Sequence, residues 1–123
     1  MDPWNGRSAS DALELYTTGV NYYREHVKPT VRMHYHIQDG GQVVNVVPDY
    51  SKLWMRVRDT KRSGMYPVYE RVVEMAEGAA ILAGADIQFL NTTTENQYTP
   101  DLDNVSPAIW KRCQLIYICS PGN

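Results

Sequence analysis

Two stretches of this chain change character at every residue. From Thr30 to Gln38, Val31, Met33, Tyr35 and Ile37 alternate with Arg32, His34, His36 and Gln38. From Ser51 to about Asp59, Leu53, Met55 and Val57 alternate with Trp54, Arg56 and Arg58. Successive side chains of a strand point to opposite faces, so each stretch reads as a strand with one apolar and one polar face. An apolar sheet face must be buried against another layer, and amphipathic helices are the usual cover. The question is whether the rest of the chain supplies them.

It does, on both sides. Ser8 is placed to cap a first helix, with Asp11 three residues later in the capping-box position. Ala12, Tyr16, Val20, Tyr23 and Val27 follow at helical spacing, and Lys28-Pro29 ends the run. A second helix is expected from near Tyr66 or Pro67, with Val68, Val72, Met75, Ala79 and Leu82 as its apolar stripe and Gly84 as its C-terminal cap. Asp39-Gly40-Gly41 reads as a turn, and Pro48 excludes a central strand through Val43–Asp49. Asp86–Leu90 reads as a short strand, 91–104 as a polar loop and Gln114–Cys119 as a last strand. The pattern is α+β: an antiparallel sheet with two helices on one face, in a single domain of 123 residues.

Composition excludes several functions. A formal net charge of −2 without a run of Lys and Arg argues against nucleic acid as a partner. No apolar run approaches the ~20 residues of a membrane helix, so no membrane partner is expected. The first ten residues are polar and carry no signal-peptide core. Cys113 and Cys119, six positions apart on one strand face, are too distant to bridge and read as free thiols of a cytoplasmic protein. Nine Tyr and three Trp suit either a half-wet core or a surface buried by a partner.

The runs DPWNGRSASDALEL, GVNYYREHV, HYHIQDGGQVVNVVPD and VYERVVEMAEGAAILAGA add a specific signal. In this order and spacing they resemble, over residues 2–90, the lid domain of the aminobenzoyl-glutamate utilisation protein B group. That group lies within the zinc-dependent amidohydrolases and carboxypeptidases that include carboxypeptidase G. The resemblance implies a ferredoxin-like two-layer sandwich and a homodimer formed through the lid sheet and helices. It implies that Asn45 and Arg58 bind a substrate carboxylate, with His34, His36, Gly40 and Gly41 in support. An amide donor and a guanidinium fork suit that ligand; equally, Arg58 reads as a solvated strand charge and Asn45 as a turn residue.

The chain also departs from the family pattern. The family's first lid strand, and a His just before its Pro-Trp-Asn-Gly-Arg run, have no counterpart before Met1-Asp2-Pro3. The C-terminal strand Gln114–Cys119 is the candidate to replace that strand, so residues 1–90 form the lid-like part and 91–123 complete the same domain. Pro100–Ser106 weakly resembles a catalytic-domain segment, which implies an internal deletion. Family catalysis uses two zinc ions held by His and carboxylates with a Glu as base, yet there is no His-x-Asp or Glu-Glu pair here. His34 and His36 share a strand face as some zinc ligands do, but a third ligand is not evident. The expectation is therefore no catalytic residue, no metal site and no cofactor in this chain: a lid and dimerisation module that is not an enzyme on its own. Two alternatives stay open: part of a working metal-dependent amidohydrolase with the rest supplied elsewhere, and a small ferredoxin-like ligand-binding domain. Stoichiometric zinc would favour the first, and a ligand-stabilised monomer the second.

Overall fold

The two alternating stretches pair with each other. In a computed structural model, which describes residues 2–88, 90, 95 and 99–113, strands β1 (Arg32–Asp39) and β2 (Lys52–Arg58) form an antiparallel two-stranded sheet. Arg32 lies opposite Arg58, His34 opposite Arg56 and His36 opposite Trp54, with a register shift between Ile37 and Asp39. Helices α1 (Ala9–Tyr23) and α2 (Arg62–Leu82) cover one face. This is the expected α+β, two-layer arrangement.

Each inward position is filled as the alternation requires. Leu53, Met55 and Val57 of β2, with Val31 and Met33 beside and on β1, are all buried. They meet Leu13, Tyr16 and Val20 from α1, and Met65, Val68, Val72, Ala76 and Ala79 from α2. Burying one Leu, Val or Met side chain stabilises by roughly 1.5–3 kcal/mol, so this cluster is the main source of stability. Cover is incomplete along β1: Tyr35 is half-buried and Ile37, expected on the same apolar face, is 44% exposed.

Helix ends follow local chemistry. The Ser8 hydroxyl accepts from the Asp11 N–H at 3.2 Å, satisfying an N–H that the first helical turn leaves without a backbone partner. Past Tyr23 the helix tightens into a 3-10 turn, Arg24–His26, which leaves Val27 half-buried. At the end of α2, Gly84 adopts φ +80° and donates to the Ile81 carbonyl, while Ala85 donates to Ala80, both at 2.9 Å. These two bonds make a Schellman cap, whose left-handed position favours glycine.

Three expectations need correction. Helix α2 begins at Arg62, a turn before Tyr66, so Pro67 sits inside it; the turn ahead of it is held by Gly64 and Met65 donating to the Lys61 carbonyl and by the buried Met65. Leu82, expected in the stripe, is 77% exposed, and Ala76 and Ala80 are buried instead: from Val72 the buried face steps by four residues to Ala76 and Ala80 and turns away from Leu82. Residues 86–88 form no strand: Asp86 faces the Arg7 and Arg112 side chains, and no backbone ladder forms there among the described residues. A short helix not expected from the sequence, α3 (Pro107–Arg112), follows, with the Ser106 hydroxyl accepting from the Ile109 N–H. The anticipated strand Gln114–Cys119 lies outside the described residues, as does Cys119.

Candidate functional site

With α1 and α2 on one face, the other face of the hairpin is uncovered among the described residues. Alternation puts Arg32, His34 and His36 of β1 there with Trp54, Arg56 and Arg58 of β2. Each of the three cross-strand pairs on this face contains an arginine or a histidine, and two are purely cationic or cation-forming: Arg32 with Arg58, and His34 with Arg56. Like charges placed directly opposite destabilise a sheet. The Arg56 guanidinium lies over the Trp54 ring, 5.2 Å from its centre. Arg32 donates to the carbonyls of Pro29 and Val31. Among the described residues, the side chains of His34, His36 and Arg58 make no hydrogen bond or ion pair.

Carboxylates near the margins of this face are engaged elsewhere. Asp39 accepts from the Gly41 N–H at 3.0 Å and from the Gln42 amide at 3.1 and 3.2 Å, an Asx-type turn. The Asp59 carboxyl is held below its usual value by hydrogen bonding to the Thr30 side chain and to the Thr60 backbone N–H. It turns toward α2, where a Cβ on Gly64 would collide with Asp59 Oδ2.

Asn45 occupies a different place. It sits on an exposed turn closed by Val46 N–H donating to the Val43 carbonyl. The loop from 40 to 51 is clamped to the start of α1: Ala9 N–H donates to Pro48 at 2.9 Å, and the fully buried Ser51 hydroxyl donates to the Ala9 carbonyl at 2.7 Å. Gly41 is needed there, with φ +110° and a Cβ position 2.8 Å from the Pro48 ring. Gly40 and Gly41 line a shallow cleft of about 430 Å³ between this loop and Ser10. Arg58 is at the far end of β2, roughly 20 Å of strand from Lys52 where the loop ends. The structure thus brings Arg58 together with the two histidines' face, and leaves Asn45 on the loop at the other end of the hairpin.

The zinc that the resemblance implies would need donors gathered at one place. His34 and His36 are exposed on neighbouring same-face positions of one strand. Among the described residues, no three of His, Cys, Asp or Glu gather to hold a metal ion, so this donor set does not fit a zinc site, which needs three or four protein ligands. No described helix is long and apolar enough to cross a membrane.

Sequence reasoning placed Trp54, Arg56 and Arg32 on polar faces without giving them a role. Their alternation was visible, but the register that stacks them into one patch was not.

No protein-family model matches the chain. Over 94% of its length it is 33% identical to a p-aminobenzoyl-glutamate hydrolase chain of Escherichia coli, of which it covers 26%. Over 70% of its length it is 29% identical to the human Xaa-Arg dipeptidase, of which it covers 20%. A shorter match, 47% of the chain at 38% identity, is to an LL-diaminopimelate aminotransferase of Nitratidesulfovibrio vulgaris, of which it covers 13%. The chain therefore spans about a quarter or less of the length of these relatives.

Proposed function

We propose that this chain, a homologue over most of its length of the peptidase-family amidohydrolases represented by p-aminobenzoyl-glutamate hydrolase and Xaa-Arg dipeptidase, works as a lid and dimerisation module that binds substrate without cutting it. Arg58 supplies the main grip. Among the described residues its guanidinium stands exposed and unpaired on the outward sheet face, and a planar fork of N–H donors takes a carboxylate through two parallel bonds. That unpaired guanidinium is the observation that carries the reading.

Asn45 adds an amide donor from the loop at the other end of the hairpin. One carboxylate held by both residues then draws Arg58 from one copy and Asn45 from another, which favours a homodimer. The substrate class is an N-acylated acidic amino acid, after the name of the first relative. Zinc, where the working hydrolase uses it, is held by residues outside this module, and the module itself carries no cofactor. The protein acts in the cytoplasm, and neither nucleic acid nor membrane is its partner.

Three measurements on the purified chain test this. Sedimentation at tens of micromolar (the order expected of an ordinary weak dimer) gives a dimer; a monomer alone overturns the dimerisation role. Titration with p-aminobenzoyl-glutamate gives binding that Arg58→Gln removes; binding unchanged in that variant overturns the carboxylate assignment. Added zinc produces no hydrolysis; turnover that a chelator abolishes shows the module to be catalytic and overturns the reading.

A further inference from the structure

We infer that the open face of the β1–β2 hairpin is a docking surface for an extended acidic peptide with carboxylates at alternate residues. The grid of side chains sets this pattern. Arg58, Arg56 and Trp54 recur at every second residue of β2, facing Arg32, His34 and His36 on β1. Every second residue of a strand is about 7 Å along, so the three rows span roughly 14 Å. An extended peptide of about five residues covers that length and presents its alternate side chains at the same repeat. Carboxylates at its first and third residues meet the Arg58/Arg32 and Arg56/His34 rows, and an aromatic at its fifth meets the Trp54/His36 row.

Among the described residues, no carboxylate pairs with the charges of this face. Asp39 and Asp59, the nearest carboxylates along the two strands, are engaged by their own turns. The sheet keeps a directly opposed Arg32–Arg58 pair despite its local cost, as expected where binding rather than stability sets the residues. A long phosphate backbone is the poorer fit. The face is only three rows deep, it offers one tryptophan for stacking, and α2 exposes Glu70 and Glu74 on a chain of net charge −2. The inference shares Arg58 with the lid reading but needs neither Asn45 nor a dimer, and Arg56, Arg32 and Trp54 belong to it alone.

The test uses the full chain and a fluorescently labelled acetyl-Glu-Thr-Glu-Thr-Phe-amide, followed by anisotropy at low salt. Binding is expected, weakened at least about tenfold when both glutamates become glutamine. Arg56→Gln weakens it about fivefold, the effect of losing one exposed charge contact. Arg56→Lys restores most of it, and circular dichroism reports whether each variant is folded. Raising the salt to about 1 M, where the screening length falls to ~3 Å, removes it. Equal affinity for the glutamine peptide, insensitivity to Arg56→Gln in a folded variant, or tighter binding of an oligothymidylate of similar length each overturns the assignment. Arg58→Gln, which the lid reading expects to abolish p-aminobenzoyl-glutamate binding, is expected to weaken peptide binding about fivefold, as Arg56→Gln does, so the two readings fail separately.

Discussion

Replacing Arg58 by glutamate is expected to make the protein more stable and less able to bind. Arg58 lies directly opposite Arg32 on the exposed face. Cross-strand pairs of opposite charge contribute roughly 0.2–1 kcal/mol, and like charges directly opposite cost a similar amount. Reversing one charge removes the repulsion and adds an attraction, so the gain is about 0.5–1.5 kcal/mol. Arg32 keeps its bonds to the Pro29 and Val31 carbonyls, and the inward neighbour Val57 is untouched. With about 4–8 °C per kcal/mol for a small domain, the melting temperature rises by several degrees. Thermal melts of wild type, Arg58→Gln and Arg58→Glu in low salt are expected to rank in that order. In about 1 M salt the spread collapses, because exposed charges are then screened within ~3 Å. A lower melting temperature for Arg58→Glu, or a gain that survives high salt, would refute the claim that opposed charge makes this face costly.

Leu13 is 1% exposed in the core cluster, so Leu13→Ala is expected to lose about 2.7–5 kcal/mol in urea unfolding. Gly84→Ala forces a Cβ into a φ +80° position and costs about 1–2 kcal/mol, read in the same assay, with little steric contribution from Arg7 at 3.4 Å. The Asp59 carboxyl titrates lower folded than unfolded, so its stabilisation is fully present above its unfolded value and is lost as the pH falls through its folded one. Asp59→Asn is therefore expected to lower the melting temperature at neutral pH and to match wild type well below pH 3.8; an offset that persists in acid would contradict this.

The layers were legible because single side chains specify them. Alternation in β1 and β2 gave the inward set Met33, Leu53, Met55 and Val57, and local capping gave Ser8 and Gly84. The start of α2 was not legible, since Pro67 is best suited to a first turn and so pointed to a start near Tyr66, whereas the helix begins at Arg62 and takes the proline into its interior at the cost of one backbone bond. Helix α3 is signalled only locally, by Ser106-Pro107, a cap followed by a first-turn proline. The cationic face was only half legible. The sequence shows which residues point outward, but the pairing of Arg32 with Arg58 depends on a long loop from 40 to 51 and on the register shift after Ile37. No tight two-residue turn fixes that register in advance. Asn45 and Arg58 came from resemblance, and the distance between their places on the hairpin could not be read from spacing.

Pro67 interrupts the backbone ladder of α2 one turn after its start. It has no N–H to give the Ser63 carbonyl, so one rung of the ladder is absent where the turn from Arg62 to Tyr66 joins the rest. The longer part is tied to α1 and the sheet through Val68, Val72, Ala76 and Ala79, whereas the turn before it has Met65 as its buried anchor. Amide hydrogen exchange in the native state is therefore expected to run at two speeds along one helix, fast before the proline through local fraying and slow beyond it through global unfolding. That turn follows directly from β2, so Arg58 lies next to the segment of α2 expected to open first.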